Sequence, residues 1–372
     1  MNLYQTQAIS RRRFVKGTGA GAIALSAGSL ATASRQEALK NRLGPSTIHS
    51  NHVTLNCAPL PVNFTGKNRL ATAINGSVPA PTLRFKEGQM ITIDVNNQLS
   101  TDTSIHWHGL ILPSSQDGVP HISTGFKGIA PGASFRYQFP AIQSGTYWYH
   151  SHSGFQEQTG AYGAIIIDPK EPDPVTYDRD YTVLLSDWSD EQPEKIYAKL
   201  KKMSHYYNKN ERTLVDLWRD IKNKGVKATA QDRAMWNQMR MSSSDISDVT
   251  GMTYTFLMNG VTPENGWLGL FKKGERLRLR FINGSAMTFF DIQIPGLKMT
   301  VVAADGQNIQ PVSVDEFRIG VAETYDVIVE PSVDEAYTIF AQAIDRSGYA
   351  SGTLAAHPSM QAAVPAMDAP PR

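Results

Sequence analysis

TSIHWHGLIL at Thr103–Leu112 and GTYWYHSH at Gly145–His152 are the two runs that decide how the chain is read. Both are rich in β-branched and aromatic residues, which suit a pleated, half-buried surface, and both are predicted as strands. Along a strand, residues i and i+2 point to the same face, about 6.6 Å apart. His106 and His108 therefore present two imidazoles side by side, as do His150 and His152, with Trp107 and Ser151 turned the other way. That spacing is wide for one ion and suits two neighbouring metals in a cluster. Neutral imidazole favours copper, zinc, iron or nickel, with copper(II) highest in the affinity order.

The chain has nine histidines, and these four share one repeated spacing. An isolated histidine is more often a satisfied core or surface group. His49, His52, His121, His205 and His357 are read in that ordinary way.

Outward from this centre, short strands are predicted between Gly, Pro and Asn punctuation: Val53–Asn56, Leu70–Ile74, Thr82–Phe85, Met90–Asn96 and Ala164–Ile167. Many short strands at such spacing argue for a β-sandwich or barrel with Greek-key turns. Pro169 to Pro174 reads as a linker. A second set follows, with Tyr181–Leu185, Thr253–Met258, Leu277–Ile282, Phe289–Ile294, Lys298–Val302, Phe317–Val321, Tyr325–Val329 and Tyr337–Ala343. Inside it, roughly Gln192–Met241 is rich in Lys, Glu, Met and Ala. Leu214, Leu217, Trp218 and Ile221 recur at helical spacing, so two or three inserted helices are expected. The stretch from Ala355 to Arg372 is Ala/Pro/Met-rich and reads as a linker-like or disordered tail.

The two halves look duplicated. Asn75-Gly76 matches Asn259-Gly260, Gly88 matches Gly274, and Asn97 matches Asn283, at a nearly constant offset. The second-half position equivalent to His106 then falls near Ile292, in a stretch without histidine. The organisation predicted is a leader at 1–33, a first domain at 45–170, a second at 175–355 with its insert at about 192–241, and a tail at 356–372.

The leader is read from Ser10-Arg11-Arg12-Arg13-Phe14-Val15-Lys16, a twin-arginine pattern, followed by a Gly/Ala-rich run to Ala33. Ala31-Thr32-Ala33 offers a small-residue cleavage site, and the run is too short and interrupted for a membrane span. Export to the periplasm is expected. Residues 1–33 carry four positive charges and no acid, so the net charge of +2 becomes 2 − 4 = −2 without them. A near-neutral protein gives no reason to expect nucleic acid or an anionic membrane as partner. A length of 372 residues suits two or three domains. The single cysteine, Cys57, excludes an internal disulfide.

His106-Trp107-His108-Gly109 and Tyr147-Trp148-Tyr149-His150-Ser151-His152 resemble the first two copper motifs of multicopper oxidases, closest to the copper-resistance protein A group. Leu112-Pro113 through Asp117-Gly118-Val119-Pro120, Ser153 through Gln158, Tyr177 through Tyr181, Leu185 through Trp188 and Ala322 through Val327 extend the likeness over nearly the whole chain.

The resemblance implies an all-β architecture of tandem cupredoxin-like Greek-key sandwiches with a small helical insertion in the second. It implies that His106 ligates the isolated copper of a trinuclear cluster, and that His108, His150 and His152 ligate the coupled pair. Asp117 stands where related oxidases carry an acid near the cluster, with a proton-delivery role; a simple Asp-Gly turn is the other reading. The family's reaction takes electrons at a blue copper held by two His and a Cys and reduces dioxygen to water.

The blue-copper motifs His-x-x-His-x-His and His-Cys-His are not found, and Cys57 stands between Asn56 and Ala58. The expectation is a chain shortened to two domains, holding half the cluster ligands. Its partners would be copper ions, copper(I) or phenol-like reductants, and a third domain supplied by a separate polypeptide. A non-catalytic copper-binding or sequestering protein is the alternative. Met235, Met239 and Met241, with Met360 and Met367, invite a copper(I) docking role but more often fill cores.

Overall fold

The computed structural model describes residues 42–208, 212–239 and 246–370. The twin-arginine stretch and Met241 lie outside the described residues. Among those described, no helix is long and apolar enough to cross a membrane.

The first strand set forms two sheets. Strands β2 (His52–Val62), β3 (Arg69–Ile74), β5 (Met90–Asn97) and β7 (Ser134–Pro140) make a four-stranded sheet in the order β3-β2-β5-β7. Strands β1 (Thr47–His49), β4 (Ala80–Lys86), β6 (His106–His108), β8 (Gly145–His150) and β9 (Tyr162–Asp168) make a five-stranded sheet in the order β1-β4-β9-β8-β6. Alternation decides what each strand buries. Val53, Leu55 and Cys57 on β2 and Ile91, Ile93 and Val95 on β5 turn inward and meet Trp107, Tyr149 and Ile165 from the facing sheet.

The second set repeats the arrangement. Its strands are β10 (Arg179–Ser189), β11 (Tyr254–Met258), β12 (Trp267–Leu270), β13 (Leu277–Asn283), β14 (Phe290–Gln293), β15 (Met299–Ala304), β16 (Gln307–Val314), β17 (Glu316–Ile319), β18 (Thr324–Val329), β19 (Ala336–Ala343) and β20 (Tyr349–Ala355). The order β11-β10-β13-β18 matches β3-β2-β5-β7, and β12-β20-β19-β14 matches β4-β9-β8-β6. Pair directions agree too: β2 with β5 and β10 with β13 are both parallel, and β6 with β8 and β14 with β19 are both antiparallel. The turn residues Asn75 and Asn259 share φ 52, and each amide oxygen and nitrogen engages the strand two before it in the same way. On the face where β6 carries His106 and His108, β14 carries Asp291 and Gln293, with Asp291 opposite Gln342, while Phe290 and Ile292 enter the second core as Trp107 enters the first.

Between β10 and β11 lie α1 (Pro193–Lys202), α2 (Leu214–Lys224), α3 (Val226–Asp232) and α4 (Ala234–Met239). Thr213 and Asp216 close a capping box at the start of α2. Gly225, at φ 81, ends α2 and starts α3, so the insert breaks into more pieces than the two or three helices expected. The tail has no regular element yet is held: the Thr338 hydroxyl donates to the Ala363 carbonyl, and Gln342 exchanges hydrogen bonds with Asp368.

The face of β8 and β9 turned away from the first core packs on β10 and β13. Trp148, Tyr162 and Ala164 meet Leu184 and Ile282 there. Beside this apolar patch lies a buried ion cluster. Arg278 pairs with Asp326 at 2.6 Å and Asp173 at 2.6 Å, and Arg280 with Asp180 at 2.8 Å and Asp326 at 3.1 Å. Arg84 of β4 reaches Asp180 at 3.0 Å and Asp168 at 2.7 Å, while the Thr146 hydroxyl of β8 donates to Asp326 at 2.7 Å. Charges so buried are tolerable only when paired and hydrogen-bonded. The cluster therefore fixes how β8 sits on the second sandwich.

Candidate metal centre

β6 is three residues long, and its antiparallel register on β8 sets His106 opposite His150 and His108 opposite Trp148. The common face carries His106, His108, Trp148 and His150, while Trp107 and Tyr149 enter the first core. His152 lies just past the end of β8. Its N–H donates to the Ser104 hydroxyl at 3.0 Å, and the Ser151 hydroxyl donates to Gln156 Oε1 at 2.9 Å. Gln156 also accepts from the Thr103 hydroxyl and donates to the Asp102 carbonyl, which ties the turn after β8 to the chain leading into β6.

The four predicted rings cluster, and the donor atoms of three of them, His106, His108 and His150, come together. Ring centroids are 5.7 Å apart for His106 and His108, 5.5 Å for His108 and His150, 4.8 Å for His150 and His152, and 5.0 Å for His106 and His152. One possible ligand atom from each of His106, His108 and His150 lies within 4.8 Å of the others. Among the described residues this is the group of three donors so placed. The facing atoms are specific: His108 Nδ1 and His150 Nε2 are 3.3 Å apart. His106 turns its Nδ1 to the Asp117 carbonyl oxygen at 2.9 Å and carboxylate at 3.3 Å, which leaves Nε2 as its free donor.

Burial pushes the His106, His108 and His152 imidazoles below their ordinary value, His108 to about 4, and neighbouring rings add repulsion to any proton taken up. Neutral rings with bare lone pairs are the ligand form of histidine. A set of close imidazoles fits copper, zinc, iron or nickel, and fits the harder, oxygen-seeking cations poorly. The donor set is therefore compatible with copper.

Asp117 is placed by two devices. Its carboxylate accepts from the Ser123 hydroxyl at 3.2 Å. Gly118, at φ 79, lets the backbone close on β6, because a Cβ there would stand 1.8 Å from the Ile105 carbonyl oxygen. An open cleft of about 830 Å³ reaches His152 from solvent, past Asp102, His121, Lys127, Gln156 and Glu194.

Two neighbours of the cluster were not singled out from sequence. Trp148 stacks on His150, with centroids 4.1 Å apart and planes at 14°, and on His108 at 4.9 Å and 29°. Its place two residues before His150 on one strand was the readable signal. Glu157 Oε2 lies 3.0 Å from His150 Nδ1, a contact made by the turn, with no periodic signal behind it. The five histidines read as ordinary stay outside the three-donor group; His52, for one, pairs with Asp94 at 2.9 Å. Cys57 is fully buried in the first core, its thiol pushed up to about 12 by burial.

Two family models described as multicopper oxidase match this chain, over residues 56–172 and 179–363. Copper resistance protein A of Escherichia coli is 55% identical over 97% of this chain and 59% of its own length. The copper resistance protein A homolog of Pseudomonas syringae pv. tomato is 54% identical over 97% of this chain and 61% of its own. The chain thus spans about 60% of the length of these relatives. Among solved structures, the laccase from Botrytis aclada superposes with a TM-score of 0.63 at 26% identity, over 88% of this chain and 56% of that one. The blue copper oxidase from Nitrosomonas europaea gives 0.60 at 25% identity, over 82% and 85%. The sandwiches are cupredoxin-like, and the chain belongs to the multicopper oxidase family.

Proposed function

We propose that His106, His108, His150 and His152 hold copper as one half of a trinuclear cluster, in a copper-resistance oxidase that oxidises copper(I) or phenol-like reductants and reduces dioxygen to water. The observation that carries this is the 3.3 Å approach of His108 Nδ1 to His150 Nε2 with His106 alongside. His106 would serve the isolated copper and the other three the coupled pair. Bound copper would supply electron transfer to dioxygen.

The chain's own residues do the rest. Asp117 orients His106 and, half-exposed beside it, is placed to pass protons inward from solvent, which dioxygen reduction consumes. Trp148 closes the side toward the second sandwich and keeps water from the rings. The cleft at His152 is the open side. Residues from a further domain, on a separate polypeptide or a longer form of this one, would complete the ligand set. Asp117→Asn in the assembled enzyme should slow dioxygen reduction at unchanged copper content. Export by the twin-arginine route to the periplasm, and the domain limits at 45–170 and 175–355, belong to the same reading.

A second reading is favoured by one observation. The single cysteine is buried and its thiol protonated, so this chain by itself offers no thiolate for a blue copper. A copper-binding or sequestering role without turnover needs none. The copper-to-chain ratio of protein isolated natively from its own cells separates the two. A full oxidase complement with a co-purifying polypeptide supports the oxidase; one weakly held copper on a lone chain supports the binding protein.

A further inference from the structure

Stacking fixes the plane of the His150 ring but not which way round it lies. A half-turn about the Cβ–Cγ bond leaves the ring flat against Trp148, yet exchanges Nδ1 with Cδ2 and Nε2 with Cε1. In one state His150 turns a nitrogen to His108; in the other it turns a carbon and has no donor to offer. Something off the stacking axis has to choose.

We infer that Glu157 is the positioning residue for His150, holding the ring in the state that presents Nε2 to His108. Glu157 Oε2 stands 3.0 Å from Nδ1, with the imidazole 5% and the carboxylate 28% exposed. A mostly buried N–H donating to a carboxylate is a strong, directional contact. It fixes the tautomer with the proton on Nδ1 and the lone pair on Nε2, the nitrogen 3.3 Å from His108 Nδ1. The Ser151 carbonyl oxygen, 3.3 Å from the same Nδ1, is the longer and weaker acceptor.

The turn that carries Glu157 is pinned on both sides. Gln156 is tied to Asp102, Thr103 and Ser151 in the first sandwich. Gln158 donates to the Asp187 carbonyl and accepts from the Tyr254 hydroxyl in the second. The segment that carries the carboxylate is thus held in both sandwiches through the side chains of its two neighbours, and the contact with His150 Nδ1 selects among the rotamers of Glu157 itself. This rests on the copper-site reading above and names a residue that reading does not contain.

The test uses the full chain with Glu157→Ala and Glu157→Gln, since an amide oxygen can still accept from Nδ1–H without the charge. In metal-free protein, imidazole ¹⁵N shifts should show His150 protonated on Nδ1 in the parent and in Glu157→Gln, and a mixture of tautomers in Glu157→Ala. Copper(II) titration should give an affinity lowered by about 10- to 100-fold in Glu157→Ala and close to the parent in Glu157→Gln. A parent protonated on Nε2, or Glu157→Ala with parental shifts, would overturn the assignment. Equal losses in both variants would place the effect in the charge, and overturn it as well. No copper(II) binding by the parent would instead sink the copper reading, and leave the tautomer measurement to decide the role of Glu157.

Discussion

Trp148 and His150, two residues apart on β8, stack with their planes 14° from parallel, because β8 alternates and both point to the face turned away from the first core. The same indole lies under His108. A single core side chain thus backs two rings from different strands, and its removal should act on both. Trp148→Phe keeps a flat surface and should keep most copper(II) affinity. Trp148→Leu should lower it by up to about tenfold, from the roughly 0.5–1.5 kcal/mol that an aromatic contact adds beyond burial. Competitive copper(II) titration measures both. Equal affinities in the two variants would show that the stack does not matter.

The ion cluster at the other end of β8 invites a direct test. Arg280→Met leaves Asp326 and Asp180 short of a partner in a site where Asp326 is 1% exposed. Breaking one side of a buried pair costs about 3–5 kcal/mol. Urea unfolding followed by Trp fluorescence should show that loss. An unchanged midpoint would mean that Arg84 and Arg278 reorganise to cover the gap.

Asp291 on β14 predicts an acid-dependent share of stability. Burial pushes its carboxyl up, but hydrogen bonds and charge from Arg318 and Arg346 outweigh that and hold it below the ordinary range. A carboxylate lowered in the folded state contributes stability in full above its unfolded value, about 3.9, and loses it as the pH falls toward the folded value. The parent should therefore weaken below about pH 4 more steeply than Asp291→Asn. Denaturation midpoints taken at descending pH give the comparison, and parallel curves would rule the contribution out.

Cys57 should be chemically silent in the folded protein. With its thiol at about 12 and no exposed surface, it should resist a thiol-specific reagent at neutral pH and react fully in urea. Cys57→Ala should leave bound copper unchanged. A drop in copper content would give the thiol a role that the core position does not suggest.

The histidine face was legible because its rule is local: residues i and i+2 on a strand share a side, as His106 and His108 do on β6. The strand expected to reach His152 instead ends at His150, and the turn brings His152 in. The architecture followed from strand spacing, and the Asn-Gly turns exposed the repeat. Ser134–Pro140 was equally readable, with Phe135, Tyr137 and Phe139 alternating against Arg136 and Gln138, yet it is missing from the expected strands. The predicted strand Thr103–Leu112 is far shorter in fact. Thr103 and Ser104 spend their hydroxyls on Gln156 and on the turn after β8, and Gly109 leaves the strand at φ 81, so only His106–His108 pair with β8. Glu157 could not have been found this way. Its contact depends on a turn that folds back across the sheet, and no periodicity encodes that.

The second sandwich has Asp291 and Gln293 on the face where the first has His106 and His108, and could pass for a spent copy. Thr146 suggests another view. It stands four residues before His150 on the same short strand, gripped by Asp326, while Gln158 just beyond the metal-side turn is gripped by β10 and β11. The ligand-free half therefore works as a jig that clamps the histidine-bearing segment at both ends. A duplicated fold can lose its chemistry and still decide how well its twin performs.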